Sequence, residues 1–437
     1  MKLDLSHIPG DNGLPFLGQT LAFVRNPRAL AVSRYQRYGE ISRVNIAGNK
    51  GLFLLSPDAN EFLTMDKEKV FSSRAAYEPF LKDSFPDVLG LFDFEEHAHH
   101  RRIMQSAFKK EAMLDYMALL QDSAKQGITE WDTTKSPFLF APQVKVLLFN
   151  QAALLFMGES QGLHATELIG HYNRAAKGTL ALLRLMIPGT TFWHAVRSSV
   201  LLRKMLLAKT PDKRATPSKD LFSHLCFARS EDGEQFTDEQ VVKHMLGLMS
   251  AAHETTTSAI VSMAYALAKY PEVQERVRSE MATDELAYED LSALSYTTQV
   301  FNECLRLWGS SHTMPRKALR DIDYKGHTIP AGAMVFISPS FVHVMPEYWS
   351  EPEKFDPERF SEDRKEHRQH RYLFMPFGGG AHKCIGMHLA EMQLKIFFFN
   401  LLRRYRLSLP DPNYVMKVKY VPVPESTDGL PLLLTAV

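Results

Sequence analysis

Cysteine is scarce in this chain, with three in 437 residues: Cys226, Cys304 and Cys384. Three cannot make a disulfide framework, and no two stand at zinc-finger spacing, which fits a reducing compartment. An excess of either charge is also lacking. With 51 basic against 50 acidic side chains, nothing calls for nucleic acid or an anionic membrane as the main partner. No window holds about 20 uninterrupted apolar residues, the length that crosses a bilayer. The opening Met1-Lys-Leu-Asp-Leu-Ser-His-Ile-Pro-Gly10 lacks the apolar core of a signal peptide. The apolar stretch from Val144 to Met157 is broken by Lys145, Asn150 and Gln151 and reads as buried core. Repeats and low-complexity linkers are missing as well. One domain over 1–437 is therefore expected, cytoplasmic and without a transmembrane anchor.

What is present is a mainly helical pattern with small β-sheets. Residues 1–70 mix Pro/Gly turns with short apolar runs such as Gly51-Leu-Phe-Leu-Leu55, the texture of a small sheet. From about 97 to 310 the periodicity is helical. Its clearest element opens on a capping box, Thr237-Asp-Glu-Gln240, and carries Val242, Met245, Leu246 and Met249 toward Tyr270, where Pro271 ends it. At 1.5 Å per residue such a helix is roughly 50 Å long, so its middle should lie deep in the core. Asp323-Tyr-Lys-Gly326 and Pro330-Ala-Gly332 bracket a hairpin, and a Pro- and aromatic-rich loop fills 339–377. A last helix is expected from Cys384 to about Tyr405, with Leu389, Met392, Ile396, Phe397 and Leu401 at helical spacing.

Cys384 sits in Phe377-Gly-Gly-Gly-Ala-His-Lys-Cys-Ile-Gly386. Here a glycine-rich turn delivers one thiol to the start of an apolar helix, whose unpaired N–H groups favour a thiolate. Gly378, Gly379 and Gly380 open backbone angles closed to other residues and let a flat group approach. With no second cysteine and no zinc-spaced histidine beside it, the thiolate suits a single axial bond, as in haem iron. The plain alternative is a buried structural cysteine, which most lone cysteines are. Against it, Phe-x-x-Gly-x-x-x-Cys-x-Gly should arise by chance on the order of once in a thousand such chains.

At this segment the sequence resembles the cytochrome P-450 family. Other family features follow in order. Glu303-Cys-Leu-Arg306 matches Glu-x-x-Arg, and Arg359 in Pro357-Glu-Arg-Phe360 matches the third member of its buried ion network. Alone, the spacing is weak: Glu40/Arg43 and Glu275/Arg278 share it and read as solvated pairs. Ala251-Ala-His-Glu-Thr-Thr256 resembles the oxygen-activation motif, making Glu254 and Thr255 the acid-alcohol pair on the distal face. Ala252 stands where the family usually has glycine. Thr255 can also donate to a carbonyl one turn back. The resemblance assigns the haem propionates to His97 and Arg101, in His97-Ala-His-His-Arg101, and to Arg316 and His382; Phe377 and Gly386 complete the haem contacts. Pro9-Gly-Asp-Asn-Gly-Leu-Pro-Phe-Leu-Gly18 is similar to the lead-in of retinoid- and sterol-oxidising branches.

The resemblance implies the cytochrome P-450 fold, with haem b between the long helix and the cysteine loop. It implies a monooxygenase that inserts one oxygen atom from dioxygen into a lipophilic molecule: a terpenoid, steroid, retinoid or fatty acid. No flavin or iron-sulfur segment is available, so electrons from NAD(P)H should arrive through a separate ferredoxin or flavodoxin and its reductase. Arg102, Lys109, Lys110 and Lys383 are the basic candidates for that docking face. The substrate pocket is expected from Phe80, Phe85, Leu89, Phe92, the segment Leu180 to Trp193, Met249, Ala252 and Met314. The protein is expected to be a monomer. A haem-thiolate sensor or carrier is the alternative of another class, and it would need neither Glu254 nor Thr255.

Overall fold

A computed structural model describes residues 3–134, 137–158, 163–179, 181 and 184–437, the side chains of 163–166 and 169 excepted. Helices α1 (Thr20–Arg25) and α2 (Pro27–Tyr38) lead into a hairpin of β1 (Ile41–Ile46) and β2 (Asn49–Leu54). Next come α3 (Pro57–Met65), β3 (Phe71–Ser72) and α4 (Arg74–Leu81). The helical body comprises α5 (Phe94–Gln105), α6 (Lys110–Thr129), α7 (Phe140–Met157, after β4 at Phe138–Leu139), α8 (Leu163–Gly178), α9 (Thr191–Ala215), α10 (Leu221–Phe227) and α11 (Asp238–Lys269). It ends with α12 (Pro271–Glu280) and α13 (Ser295–Trp308). Strands β5 (Met314–Ala318), β6 (Ile322–Tyr324), β7 (His327–Ile329) and β8 (Met334–Ile337) follow, then the short α14 (Pro339–Val342). After an irregular stretch, α15 (Met387–Leu402) precedes β9 (Tyr405–Ser408), β10 (Val418–Lys419), β11 (Glu425–Ser426) and β12 (Pro431–Ala436).

The expected capping box opens α11: the Gln240 N–H donates to the Thr237 hydroxyl at 3.3 Å and the Thr237 N–H to the Gln240 side chain at 2.9 Å. Its 32 residues run to Lys269, because Pro271 cannot continue the ladder and starts α12 instead. Met245, Met249, His253 and Ile260 are buried along it, packed on α7, α9 and α13. Helix α7 is long and apolar enough to span a bilayer, with a mean hydropathy of 1.3, yet half of it is buried inside the fold, where it packs on α6 and α11.

The N-terminal sheet is only partly N-terminal. Its order is β1-β2-β8-β5-β3, and β2 pairs in parallel with β8, Leu52 opposite Val335. The unbroken apolar run in β2 has this cause: its C-terminal half is buried throughout, as a central strand with a parallel neighbour must be. The expected hairpin is β6–β7. Strand β5, antiparallel to β8, sets Arg316 opposite Val335.

The last helix departs from expectation. It begins at Met387, three residues beyond Cys384, and ends at Leu402 rather than near Tyr405. Cys384 belongs to the loop because its N–H closes back on the Phe377 carbonyl at 2.9 Å, while Gly386 takes the N-cap place. Tyr405 begins β9.

Candidate active site

The loop of Cys384 is shaped by backbone angles that glycine tolerates. Gly378 and Gly380 have φ of +71° and +61°, and a Cβ on Gly380 would lie 1.8 Å from the Thr64 carbonyl oxygen, so no side chain fits there. A 3-10 turn, Gly380–His382, then presents Cys384 to a cavity of about 450 Å³. Cys384 is surface-accessible, but the surface it exposes is cavity wall. The protein packed round it therefore still withholds water: burial pushes the thiol up, against the Gly386 N–H, Arg101 and Lys383, which pull it down. This corrects the reading of the loop alone, in which helix-end N–H groups sufficed for a thiolate. A coordinating metal cation would release that proton.

At the edge of this cavity four nitrogenous side chains converge. The rings of His97 and His382 lie 4.0 Å apart. Burial, aided by the charges of Arg101 and Arg316, lowers His97 to about 4 and His382 to about 2, so both imidazoles are neutral donor-acceptors at pH 7. Arg316 is buried, and neither it nor Arg101 stands within 4 Å of a carboxylate oxygen in any ion pair among the described residues. Two guanidiniums without a contact ion pair, Arg316 feeling only the more distant charge of Asp66, beside two neutral histidines suit a group with two carboxylates. The ring-edge propionates of haem have that chemistry, and the glycine-lined wall beside the thiol suits its flat face. The residues present fit the cofactor. Tyr77 was not signalled by sequence: it lines the cavity and its hydroxyl hydrogen-bonds Arg316, yet a lone tyrosine on a short helix carries no motif.

The opposite wall is α11. Ala251, Ala252, Thr255 and Thr256 line the cavity. The Thr255 hydroxyl donates to the Ala251 carbonyl at 2.7 Å, the back-bond that its place in a helix allows. Glu254, adjacent in sequence, turns away from its neighbour. Its Oε1 lies 3.1 Å from Lys145 Nζ, which is also 3.5 Å from Glu425. His253, stacked on Phe149 at 3.6 Å, brings Nδ1 within 3.5 Å of the same carboxylate. His253 and Lys145 hold Glu254 ionised, lowering it to about 2 against the cost of burial. Lys145 and Glu425 carried no signal, because only the fold brings α7 and β11 to α11.

Behind the cysteine loop, Arg306 grips Glu303 with two bonds of 2.6 and 2.8 Å, and Arg359 Nε lies 3.4 Å from the same carboxylate. All three residues are buried. Burial pushes Glu303 up, and both arginines and the Asp356 N–H pull it down. The pairs of equal sequence spacing behave otherwise: Glu275 and Arg278 meet at 3.4 Å with Glu275 half exposed, whereas Arg43 donates to the carbonyls of Ser6 and Ile8 and leaves Glu40 to Lys325.

The apolar pocket candidates divide. Ala252 and Met314 line the cavity, as do Phe377, His382 and Gly386. Phe85, Phe92 and Met249 are instead buried in the core, Phe92 against His100 at 4.5 Å. Leu89 packs on that core and Phe80 is 40% exposed. Of the segment Leu180 to Trp193, Leu180, Leu182 and Leu183 fall outside the described residues, and Leu185, Met186 and Ile187 are exposed. Leu148, Ala152, Leu155 and Phe156 of α7 take their place in the wall. An apolar side chain reads alike in sequence whether it meets a cavity or a neighbour, so periodicity could not separate the two sets.

The chain matches the family model described as cytochrome P-450 over residues 8–421. It is 36% identical to cytochrome P-450 136 of Mycobacterium tuberculosis, across 98% of this chain and 89% of that protein. With the beta-amyrin 28-monooxygenase of Saponaria officinalis it shares 27% identity, over 98% of this chain and 90% of the relative. The solved structure of the cyanobacterial CYP120A1 with retinoic acid bound superposes with a TM-score of 0.88 at 28% identity, covering 98% of this chain and 99% of that one. On its fold, its cysteine loop and this match across nearly its whole length, the chain belongs to the cytochrome P-450 family of monooxygenases.

Proposed function

We propose that this monooxygenase inserts one oxygen atom from dioxygen into an uncharged, lipophilic molecule of the terpenoid, steroid or retinoid kind, on iron held by Cys384. One observation carries the reading: Cys384 and Thr255 stand on the walls of one cavity whose lining, among the described residues, includes no Lys, Arg, Asp or Glu. An apolar wall without a fixed charge favours a neutral substrate over a free fatty acid, whose carboxylate would lose its water unpaired. One name lends support to a neutral substrate, since one relative acts on beta-amyrin; the retinoic acid held in one similar structure supports only the lipophilic character, because it carries a carboxylate of its own.

Haem, when bound, supplies dioxygen activation, which thiolate donation steers toward O–O cleavage. The chain's own residues do the rest. His97, Arg101, Arg316 and His382 would hold the haem carboxylates, and Phe377 and Gly386, which line the cavity, would border its site. Thr255 keeps its oxygen lone pairs free while its proton is committed to Ala251, so it can accept a hydrogen bond from water in the cavity. Glu254 connects the α11 side to solvent as a carboxylate that accepts hydrogen bonds from water, its side chain being 38% exposed and its partner Lys145 reaching Glu425 at the surface. Apolar residues of α7 keep other water out.

Electrons, in this reading, come from NAD(P)H through a ferredoxin or flavodoxin and its reductase. Arg102, Lys109, Lys110 and Lys383 are all exposed; Lys110 is engaged by Glu289 at 3.2 Å, which leaves the other three to offer positive charge. The free thiols agree with a cytoplasmic location. The test is a binding screen on the haem-loaded protein, following displacement of water from ferric haem across terpenoids, sterols, retinoids and fatty acids, then product analysis with ferredoxin, reductase and NADPH. Tight binding confined to free fatty acids, or binding without oxygenated product, overturns it.

A further inference from the structure

Glu303, Arg306 and Arg359 touch no residue of the cysteine loop in the bonds described above, so something must transmit their rigidity to it. His343, at the C-terminal end of α14, stands between the two. Its carbonyl accepts from Arg306 Nη1 at 2.8 Å, and its Nε2 takes the Met375 N–H at 2.9 Å. Met375 in turn accepts the Gly378 N–H at 3.1 Å, and Phe377 accepts the Cys384 N–H at 2.9 Å. One residue thus bonds the ion network through its backbone and the cysteine loop through its side chain. Pro376, next in line, has no N–H to offer, which makes the Met375 amide the anchor at the mouth of the glycine turn.

The chemistry of that bond is restrictive. An amide N–H can only donate, so Nε2 must carry its lone pair and the ring proton must sit on Nδ1. A charged imidazole would have no acceptor there. The surroundings agree: His343 is buried, 5.1 Å from the Phe374 ring, and burial together with Arg306 and Arg28 holds it well below the usual histidine range, at about 3. We infer that His343 is a positioning residue for the thiolate ligand, fixing the cysteine loop to the Glu303–Arg306 brace through the Met375 amide. The inference rests on the reading of Cys384 as haem ligand.

His343→Leu removes the acceptor while keeping the bulk, and His343→Gln restores an acceptor oxygen near the place of Nε2. In the haem-loaded full chain, the reduced carbon monoxide complex separates thiolate-ligated from unligated iron by band position, and far-UV circular dichroism follows the fold. The ratio of thiolate to non-thiolate band should fall about tenfold in His343→Leu, the scale for a buried donor left without its acceptor. His343→Gln should recover most of it, with unchanged helix content in both. A wild-type ratio in His343→Leu, or equal loss in both variants, overturns the inference. Absence of the thiolate band from wild-type protein would instead sink the ligand assignment beneath it. If His343→Leu does not accumulate, hydrogen exchange of the wild-type protein decides: the Met375 amide must exchange as slowly as the core of α11, and fast exchange overturns the proposal.

Discussion

The two walls of the cavity are held by different forces. On the cysteine side, the loop from Met375 to Gly386 is tied by backbone bonds and backed by buried charge, with Glu303, Arg306 and Arg359 all excluded from water. On the α11 side, Ala251, Ala252 and Thr255 face apolar residues of α7, while the charged cluster of Glu254, Lys145 and Glu425 lies toward solvent. Directional bonds define one geometry and tolerate few replacements. Apolar packing defines a volume, and many side chains of similar size satisfy it. One wall therefore sets what the iron can do, and the other sets which molecule meets it.

Substitutions can break this comparison, and the largest effect is expected at the ligand. Cys384→Ser should abolish the thiolate band of the reduced carbon monoxide complex; a band that survives would falsify the assignment of Cys384 as the ligand. Next comes the brace. Glu303→Ala leaves the buried guanidinium of Arg306 without a carboxylate, while Arg359 keeps Glu366 at 3.0 Å, and should cost about 3 kcal/mol, read from the shift of the denaturant midpoint at unchanged slope. A change under about 1 kcal/mol would show that the cysteine wall is no more constrained than the other.

Thr255→Ala sharpens the comparison from the α11 side. Product formed per NADPH consumed should fall by about tenfold or more, the scale of a lost proton-transfer partner, with the thiolate band intact. Full coupling in that variant would remove Thr255 from the chemistry. The smallest effect is expected at Lys145→Met. Glu254 is ordinarily a carboxylate of 4.5 that folding lowers to about 2. Its contribution to stability is therefore present above pH 4.5 and is lost as pH falls toward 2. Without Lys145 the folded value rises toward 4.5 and that window narrows, His253 alone remaining to hold the charge down. Both partners are more than a third exposed, so water screens the pair and the change should stay under about 1 kcal/mol, seen as a weaker pH dependence of Tm between pH 2 and 4.5. An unchanged pH dependence would mean that Lys145 does not hold Glu254.

Much of the cysteine wall was legible because its chemistry is written in residue types that are costly elsewhere. A glycine triplet before a lone cysteine, a proline-flanked arginine and a carboxylate three residues before an arginine each have few other uses. Even so, three Glu-x-x-Arg spacings existed and only tertiary contact distinguished Glu303–Arg306, buried at 2.6 Å, from Glu275–Arg278 at the surface. The start of α15 was misplaced because Cys384 has helix-compatible neighbours, and the bond from its N–H to Phe377 is a loop property invisible to periodicity.

The α11 side was legible as a helix and hardly at all as a surface. Its length, capping box and proline stop follow from local rules, whereas the direction of Glu254 does not: Lys145, which Glu425 shares, lies far away in the chain and draws the carboxylate from Thr255. Phe85, Phe92 and Met249 likewise look no different from Leu148 or Phe156, although only the latter two line the cavity. By itself, then, the sequence determined the helical class, the long helix and the lone cysteine of the glycine-rich loop that marks the family, because these rest on local backbone propensity and on rare side-chain chemistry. The tertiary structure alone decided which charges pair, how His343 bonds both Arg306 and the Met375 amide and which apolar residues line the cavity, because each of those depends on distances between segments remote in sequence.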